Sequence, residues 1–446
     1  MRTIGSGGEE TADAQVLVIG LGITGEAVTR HVGPDRVVAV EDRPSEASRA
    51  RATALGVTLI ESPTAEALDA LIRSVSMVVP SPGVPAAHPV YRLAAQAGVE
   101  LVGEVELAWR AATVPMLAIT GTNGKTTVTT LVAAMLVAGG RRAIAAGNIG
   151  LPLVDAVTTD VDVVVAEVSS FQLELTSRFR PAVAAWLNFA EDHLDWHATM
   201  ADYAAAKARI WANQQPPDVA VANADDPVVM AAAVAARGEL VTFGSAGDFH
   251  VHDRMLVTPG GDGIIALDDL PRRLPHEIAN ALAACAVAIS AGVDAAACRA
   301  VLATFEGLPH RVTQIGDAGG VRYFDDSKAT TPASVLAAMQ GFDSVVLIAG
   351  GRNKGLDLGV LAGAADRVRA VVAIGEAAVE VERAFSGLRP VTTASSMDDA
   401  VDAAVKAARP GDVVLLSPGC ASFDWYTSYA ERGDDFTRAV RERVSS

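Results

Sequence analysis

Residues Leu117 to Thr127, LAITGTNGKTT, set a short apolar strand directly before a glycine-bearing loop that ends in Lys125-Thr126-Thr127 and opens a helix over Val128–Ala138. That order leaves the chain little freedom. A buried strand of this kind feeds a parallel sheet, and the helix after it has to pack back across the sheet. The same order builds an anion site, because helix N-terminus, loop N–H groups and lysine converge where a triphosphate fits, while a threonine hydroxyl can hold Mg²⁺. Ile119 stands where the strict GxxxxGK[ST] pattern has its first glycine. The compact Gly121-Thr122-Asn123-Gly124-Lys125-Thr126-Thr127 keeps the strand–loop–helix context, and that context predicts an ATP site.

At 446 residues the chain exceeds one hydrophobic core, and a prior of ~150 residues per domain predicts about three. An N-terminal unit, residues 1–102, has a buried strand at Gln15–Ile19, the turn Gly20-Leu21-Gly22-Ile23-Thr24-Gly25, and further strands at Val37–Val40 and Val75–Val79. Alternating strands and helices predict a doubly wound, Rossmann-like α/β sheet with its ligand at the strands' carboxyl ends. A central P-loop unit, residues 103–307, adds strands at Val161–Val165 and Pro181–Leu187, a helix over Ala201–Asn213, short strands within 240–275, and a helix over Glu277–Ala291. A C-terminal unit, residues 308–446, repeats the Rossmann-like pattern with strands Val321–Phe324, Ser344–Ala349, Val368–Ile374 and Asp412–Leu416.

The net charge of −17 argues against nucleic acid or an anionic membrane as partner, so an anionic substrate must be met by local cations. Cys285, Cys298 and Cys420 have no metal-site spacing, and three thiols do not make a disulfide framework; a reducing cytoplasm fits. The first fifteen residues carry Glu9, Glu10 and Asp13 and no apolar stretch, and no later run approaches ~18 uninterrupted apolar residues, so neither a leader nor a membrane span is expected.

Further clusters carry chemistry. The GxGxxG turn with Glu41-Asp42-Arg43 about twenty residues on suits a dinucleotide, another phosphorylated ligand, or plain helix–strand packing. Glu167 ends a strand beside the P-loop, where a carboxylate holds Mg²⁺ or merely caps the turn. Asn188-Phe189-Ala190-Glu191-Asp192-His193-Leu194-Asp195-Trp196-His197 crowds acids and imidazoles into one loop, which suits Mg²⁺ and substrate better than zinc and is otherwise a solvated loop. At the start of the C-terminal unit, Arg311 offers a fork for phosphate or an interdomain ion pair, and Asp325-Asp326-Ser327-Lys328-Ala329-Thr330 occupies a strand-to-helix junction. Ser417-Pro418-Gly419-Cys420-Ala421-Ser422 follows another strand. Lys207, in mid-helix, reads by composition as a solvated side chain.

In this order the motifs GLGITG, PSPG, GTNGKTT, GNIG, EVSSFQLE, NFAEDHLDWH, GLPHR, DDSKAT and LLSPGCASFD resemble the Mur ligase family, from about Val16 to the C-terminus. GLPHR, DDSKAT and LLSPGCASFD discriminate best, and they resemble the members that add D-glutamate; the DNPR signature of diaminopimelate- or lysine-adding relatives is absent. The resemblance implies an ATP-dependent ligase joining D-glutamate to UDP-N-acetylmuramoyl-L-alanine through an acyl phosphate, monomeric and cytoplasmic, with two Mg²⁺ ions.

Residue by residue, the resemblance implies that Gly121 through Thr127 cradle ATP, with Lys125 on its phosphates. Thr126 and Glu167 would hold one metal, while His193 and a carbamate formed from CO₂ on Lys207 would hold the other. Asn280, Arg311 and Asp326 match nucleotide-binding positions. Lys328, Thr330, Ser422 and Tyr429 match those that receive D-glutamate, Lys328 with a catalytic part. Asn148 would touch the nucleotide-sugar, and Thr24, Asp42, Arg43 and Ser81 its UDP moiety. Glu41, Glu277 and Thr331 depart from the family pattern, Glu277 by replacing the first asparagine of an HNxxN-like stretch.

Overall fold

Apolar runs such as Val16–Ile19 and Met116–Thr120, every residue buried, read as strands covered on both faces, and parallel sheets flanked by helices are the architecture that covers them. The computed structural model describes residues 15–194 and 196–444, so the acidic amino-terminal tail and Asp195 lie outside the described residues.

The first sheet is fully parallel. It comprises β1 (Val16–Ile19), β2 (Val37–Glu41), β3 (Thr58–Glu61), β4 (Met77–Pro80) and β5 (Glu100–Leu101) in the order β3-β2-β1-β4-β5. The second is also parallel, with β6 (Met116–Thr120), β7 (Ala143–Gly147), β8 (Val163–Glu167), β9 (Val183–Trp186), β10 (Val219–Asn223) and β11 (Glu239–Phe243) ordered β11-β10-β9-β6-β8-β7. The P-loop strand β6 therefore lies between β8, which ends in Glu167, and β9, which leads into the acid–imidazole loop.

A small antiparallel sheet follows, β12 (His250–His252), β13 (Met255–Val257) and β14 (Gly263–Ala266), as the short-strand expectation for 240–275 has it. The last sheet comprises β15 (Thr313–Ala318), β16 (Val321–Asp325), β17 (Val345–Gly350), β18 (Val368–Ile374), β19 (Val391–Thr393) and β20 (Val413–Leu416), ordered β15-β16-β20-β17-β18-β19. Here β15 pairs antiparallel with β16, an edge hairpin that the doubly wound reading did not include. Gly319-Gly320, both at positive φ, make the tight reversal between them.

Element ends shift where local chemistry outweighs the hydrophobic pattern. The P-loop helix starts at Lys125 rather than Val128, because Gly124 at φ +82° already supplies the left-handed turn that launches it. The helix expected over Ala201–Asn213 stops at Ala208 and tightens into a 3₁₀ turn, Arg209–Trp211, where the Trp211 indole donates to Ala184 O of β9 (2.9 Å) and draws the chain onto the sheet. No helix among the described residues is long and apolar enough to cross a membrane.

Two loops at the carboxyl ends of β16 and β20 are tied together from below by Arg432, in the helix Tyr429–Val444. Its guanidinium is 1 % exposed and donates to Ser327 Oγ (3.0 Å), Ser327 O (2.8 Å), Cys420 O (3.2 Å) and Ala421 O (3.2 Å). Carbonyls rather than a carboxylate receive this charge, and burial pulls its pKa down to about 10. Arg432→Ala should lower the urea unfolding midpoint by an amount equivalent to about 3 kcal/mol, because several buried acceptors lose their donor at once. Arg432→Lys should recover little of it, since one ammonium cannot span both loops.

Candidate functional site

The carboxyl ends of the second and fourth sheets face one another across a cavity of about 520 Å³. Thr122 through Thr127, Asn148, Glu167 and His193 line its middle-domain side, with Asn280 of the helix Pro275–Ser290. Arg311, Asp326, Lys328 and Thr330 line the other. Segments far apart in sequence thus bring most of the predicted residues to one place.

The P-loop is held from three directions. Asn188, just after β9, accepts from Asn123 N (2.8 Å) and returns its amide to Asn123 O (3.1 Å). Ser334 of the opposite domain donates to Asn123 Oδ1 (2.7 Å), a contact across the cavity. At Gly124 any side chain would collide with Asn280, whose Oδ1 would lie 2.4 Å from a Cβ there. With no side chain capping this helix, its first N–H groups face the cavity. Lys125 Nζ curls back onto Gly121 O (2.9 Å) and Thr122 O (3.0 Å), and burial lowers its pKa, with Glu167 and Asp192 opposing the shift.

Opposite this lysine, Glu167 is 2 % exposed. Its Oε1 accepts from Asn148 Nδ2 (2.9 Å), whereas Oε2 is buried without a hydrogen-bond partner. An unpartnered carboxylate oxygen against a P-loop is what a hard divalent cation would use. His193 sits at φ +58° with Asp192 Oδ2 3.3 Å from Nε2, and burial holds its pKa down to about 4, so at neutral pH the ring keeps a free lone pair. His197, by contrast, turns away to Ser170 Oγ (2.9 Å). No three carboxylates, imidazoles or thiols converge among the described residues, and Asp195 of this loop lies outside them. Mg²⁺ asks for less, commonly one or two protein oxygens completed by phosphates and water, and Glu167 with Thr126 fits that demand.

Lys207 overturns its compositional reading. Rather than solvated it is 1 % exposed, behind the P-loop, with Nζ 2.8 Å from Gly121 O, 3.5 Å from Thr120 Oγ1 and 4.7 Å from the Tyr203 ring centre. Mid-helix placement told nothing of this, because what buries the side chain is the P-loop backbone at the end of β6, far away in sequence. Burial, then the nearby Lys125 charge, drive its pKa well below the ordinary lysine value, so the amine is held toward its neutral form.

In the C-terminal domain Asp326 accepts from Ser417 Oγ (2.7 Å), and burial raises its pKa to about 7. Arg311 is half-buried in the cavity wall rather than paired on the surface, and desolvation lowers its pKa. Lys328 Nζ lies 3.7 Å from the Tyr429 ring centre; burial, helped by Arg311, brings its pKa down to about 8. Ser422 is 2 % exposed and lies outside the cavity wall, close in sequence to the Arg432-bound carbonyls. Lys354, absent from the sequence expectations, lines the cavity just beyond β17. The Gly350-Gly351-Arg352-Asn353-Lys354 run after a wholly buried strand was the available signal.

Thr24, Asp42, Arg43 and Ser81 lie elsewhere, around the carboxyl end of the first sheet. Ser81 Oγ donates to Gly20 O (2.6 Å), Glu41 accepts from Leu21 N (3.0 Å), and Asp42 meets His88 Nε2 at 2.7 Å. The Ser81 loop faces Phe171, Gln172 and Trp196 of the middle domain across a narrow cleft.

Three family models match the chain. They are described as "Mur ligase MurD-like, N-terminal domain" at residues 14–103, "Mur ligase middle domain" at 119–288, and "Mur ligase, glutamate ligase domain" at 310–420. A UDP-N-acetylmuramoylalanine--D-glutamate ligase from Frankia casuarinae is 44% identical over 97% of this chain and 95% of its own length. Another, so named, from Desulfosudis oleivorans is 41% identical over 97% of each. Among solved structures, MurF from Acinetobacter baumannii superposes with a TM-score of 0.63 at 18% identity over 94% of this chain and 93% of its own. A pseudomurein peptide ligase type C from Methanothermus fervidus gives 0.61 at 18% identity over 97% and 100%. At such identity the likeness concerns the fold.

Asp326 carries a pH signature. Its pKa moves from 3.8 to about 7 on folding, so between those values only the folded chain binds the proton. Its contribution to stability is complete below pH 4 and is lost as pH rises to about 7, with a limiting slope of about 1.4 kcal/mol per pH unit. Denaturant titrations of Asp326→Asn across pH 4–7 should show a correspondingly flatter profile than the parent protein.

Proposed function

The chain belongs to the Mur ligase family, and we propose that within it the protein joins D-glutamate to UDP-N-acetylmuramoyl-L-alanine with cleavage of ATP to ADP and phosphate. Near full-length identity to ligases of that name supports the substrates. The single structural observation that carries the ATP site is the convergence, on one cavity, of an uncapped P-loop helix with Lys125, Arg311 and Lys328. We assign residues 1–102 to the UDP moiety, 103–307 to ATP, and 308–446 to D-glutamate and part of the nucleotide.

In this reading the alanyl carboxylate attacks the γ-phosphorus, its bond to the β–γ bridging oxygen breaks, and ADP leaves. The glutamate amine then attacks the acyl carbon, gives up a proton, and expels phosphate as the amide forms. Catalysis of this kind is mainly positioning and charge stabilisation. Lys125, the helix N-terminus and Arg311 hold the phosphates; Lys328, Thr330, Ser422 and Tyr429 orient D-glutamate; Asp326 and Asn280 seat the nucleoside. Thr126 and Glu167 would hold one Mg²⁺, and His193 with modified Lys207 a second. Bound there, the ions neutralise phosphate charge.

Carbamylation needs a neutral amine, which attacks the carbon of CO₂ and loses a proton to leave an N-bound carboxylate. The depressed pKa of Lys207 supports that chemistry. The product would be a hard oxygen ligand beside Lys125, exchanging a repulsion for an attraction. Thr24, the Asp42-Arg43 turn and Ser81 handle UDP, and Asn148, already holding Glu167, reaches the sugar side. The protein acts in the cytoplasm as a monomer.

The reading is tested by ADP release with UDP-N-acetylmuramoyl-L-alanine. D-glutamate should stimulate turnover at least about tenfold over L-glutamate, the scale on which misplaced polar groups are rejected; equal rates with both, or none without a different acceptor, overturn it. Lys207→Ala should lose about 10²-fold or more in turnover, as expected for loss of a group supporting a phosphoryl-transfer metal. Acetate or formate should restore part of that activity, and amines should not. Full activity of the alanine variant in bicarbonate-free buffer would leave Lys207 a structural lysine.

A further inference from the structure

Glu277 replaces the first asparagine of the HNxxN-like stretch, and its carboxylate is fully engaged by the protein itself. Oε1 accepts from Arg272 Nε (2.5 Å), and Oε2 accepts from Leu274 N (2.9 Å) at the start of the helix that carries Asn280. Each oxygen thus already accepts from the protein, at a place where Arg272 and Glu277 both line the cavity. Arg272 spends its remaining donors on the interdomain connection: Nη2 reaches Arg311 O (2.7 Å) and Nη1 reaches Glu306 O (3.3 Å). The side chains of Arg272 and Glu277 are 18 % and 12 % exposed.

The connection they grip needs holding. Gly307 (φ +97°), His310 (φ +60°) and Val312 (φ +47°) all sit at positive φ, a conformation that residues with a Cβ avoid and a branched one most of all. The Arg272 guanidinium also fills the space over Gly307, where a Cβ would lie 2.8 Å from its Cζ. Arg311 presents its own guanidinium to the cavity from the end of this segment.

We propose that the Arg272–Glu277 pair is a positioning clamp that fixes the 306–311 connection and thereby the Arg311 guanidinium for the nucleotide. This rests on the ATP reading of the cavity. Glu277 orients the Arg272 fork, and the fork bridges the two ends of the segment, a task for a planar multi-donor group that a lysine cannot perform. The asparagine-to-glutamate change thus sets, one turn before Asn280, a carboxylate that acts through Arg272 on Arg311.

Steady-state kinetics on the full chain test the clamp. Arg272→Ala should raise the KM for ATP about tenfold, the effect of losing one buried charge-assisted hydrogen-bond set, with kcat at saturating ATP and the KM for D-glutamate changing far less. Arg272→Lys should show most of that defect while melting like the parent, which separates positioning from folding. Glu277→Gln, which keeps the acceptor for Leu274 N but loses the charge, should fall between. The decisive comparison is Arg272→Ala/Arg311→Ala, which should be no worse than Arg311→Ala alone. Multiplying effects, or a parental KM for ATP in Arg272→Lys, overturn the clamp while leaving the ATP assignment intact. Unchanged ATP use in Arg311→Ala would overturn both.

Discussion

Everything at the main site follows from the crowding of cations around the end of one strand. Lys125 and Lys207 both place their ammonium nitrogens on the carbonyl of Gly121, at 2.9 and 2.8 Å. Arg311 and Lys328 approach from the opposite domain, and burial lowers the pKa of all four groups. In a chain of net charge −17 this is a local inversion of sign. It makes the cavity attract a polyanion and raises the cost of keeping every group charged without one. A neutral Lys207 is one relief of that repulsion, and its conversion to a carboxylate-bearing group is a larger one.

The supporting structure serves this concentration of charge. Two sheets, one parallel and one parallel but for the edge strand β15, meet carboxyl end to carboxyl end, so their loops rather than their cores share the cavity. The loops are fixed by polar groups that spend their hydrogen bonds on the protein's own backbone. Asn188 grips the P-loop, Arg432 ties the Ser327 and Cys420 loops, and the Arg272 fork straps the connection that carries Arg311. Each of these places a donor on backbone carbonyls, and Asn188 also accepts from the Asn123 N–H, which sets the position of the loop rather than its charge. The contact between Ser334 and Asn123 shows how closely the two domains approach across the cavity.

Much of this was legible along the chain. Wholly apolar runs ending in glycine, carboxylate or lysine marked the strands and the ends at which ligand loops sit, because burial and parallel pairing permit few other sequences. The P-loop, Glu167, His193, Arg311, Asp326 and Lys328 were found from local pattern, and the family resemblance from their order. Less legible were element ends governed by a single hydrogen bond, such as the indole of Trp211 on Ala184 O, and the antiparallel β15, whose half-exposed residues carry no clear period.

Sequence by itself determined which elements exist and which chemistry each loop can offer, since hydrophobic period, glycine geometry and side-chain type are local properties. Only tertiary structure decided how those loops are used. Lys207 looks like any helix lysine until its burial behind the P-loop removes water from it, and only then is its amine driven toward neutrality. Glu277 looks like no more than a departure from the family pattern until Arg272 and the 306–311 segment meet it. Desolvation and long-range pairing depend on what lies next to a group in space, and no spacing along the chain encodes that directly.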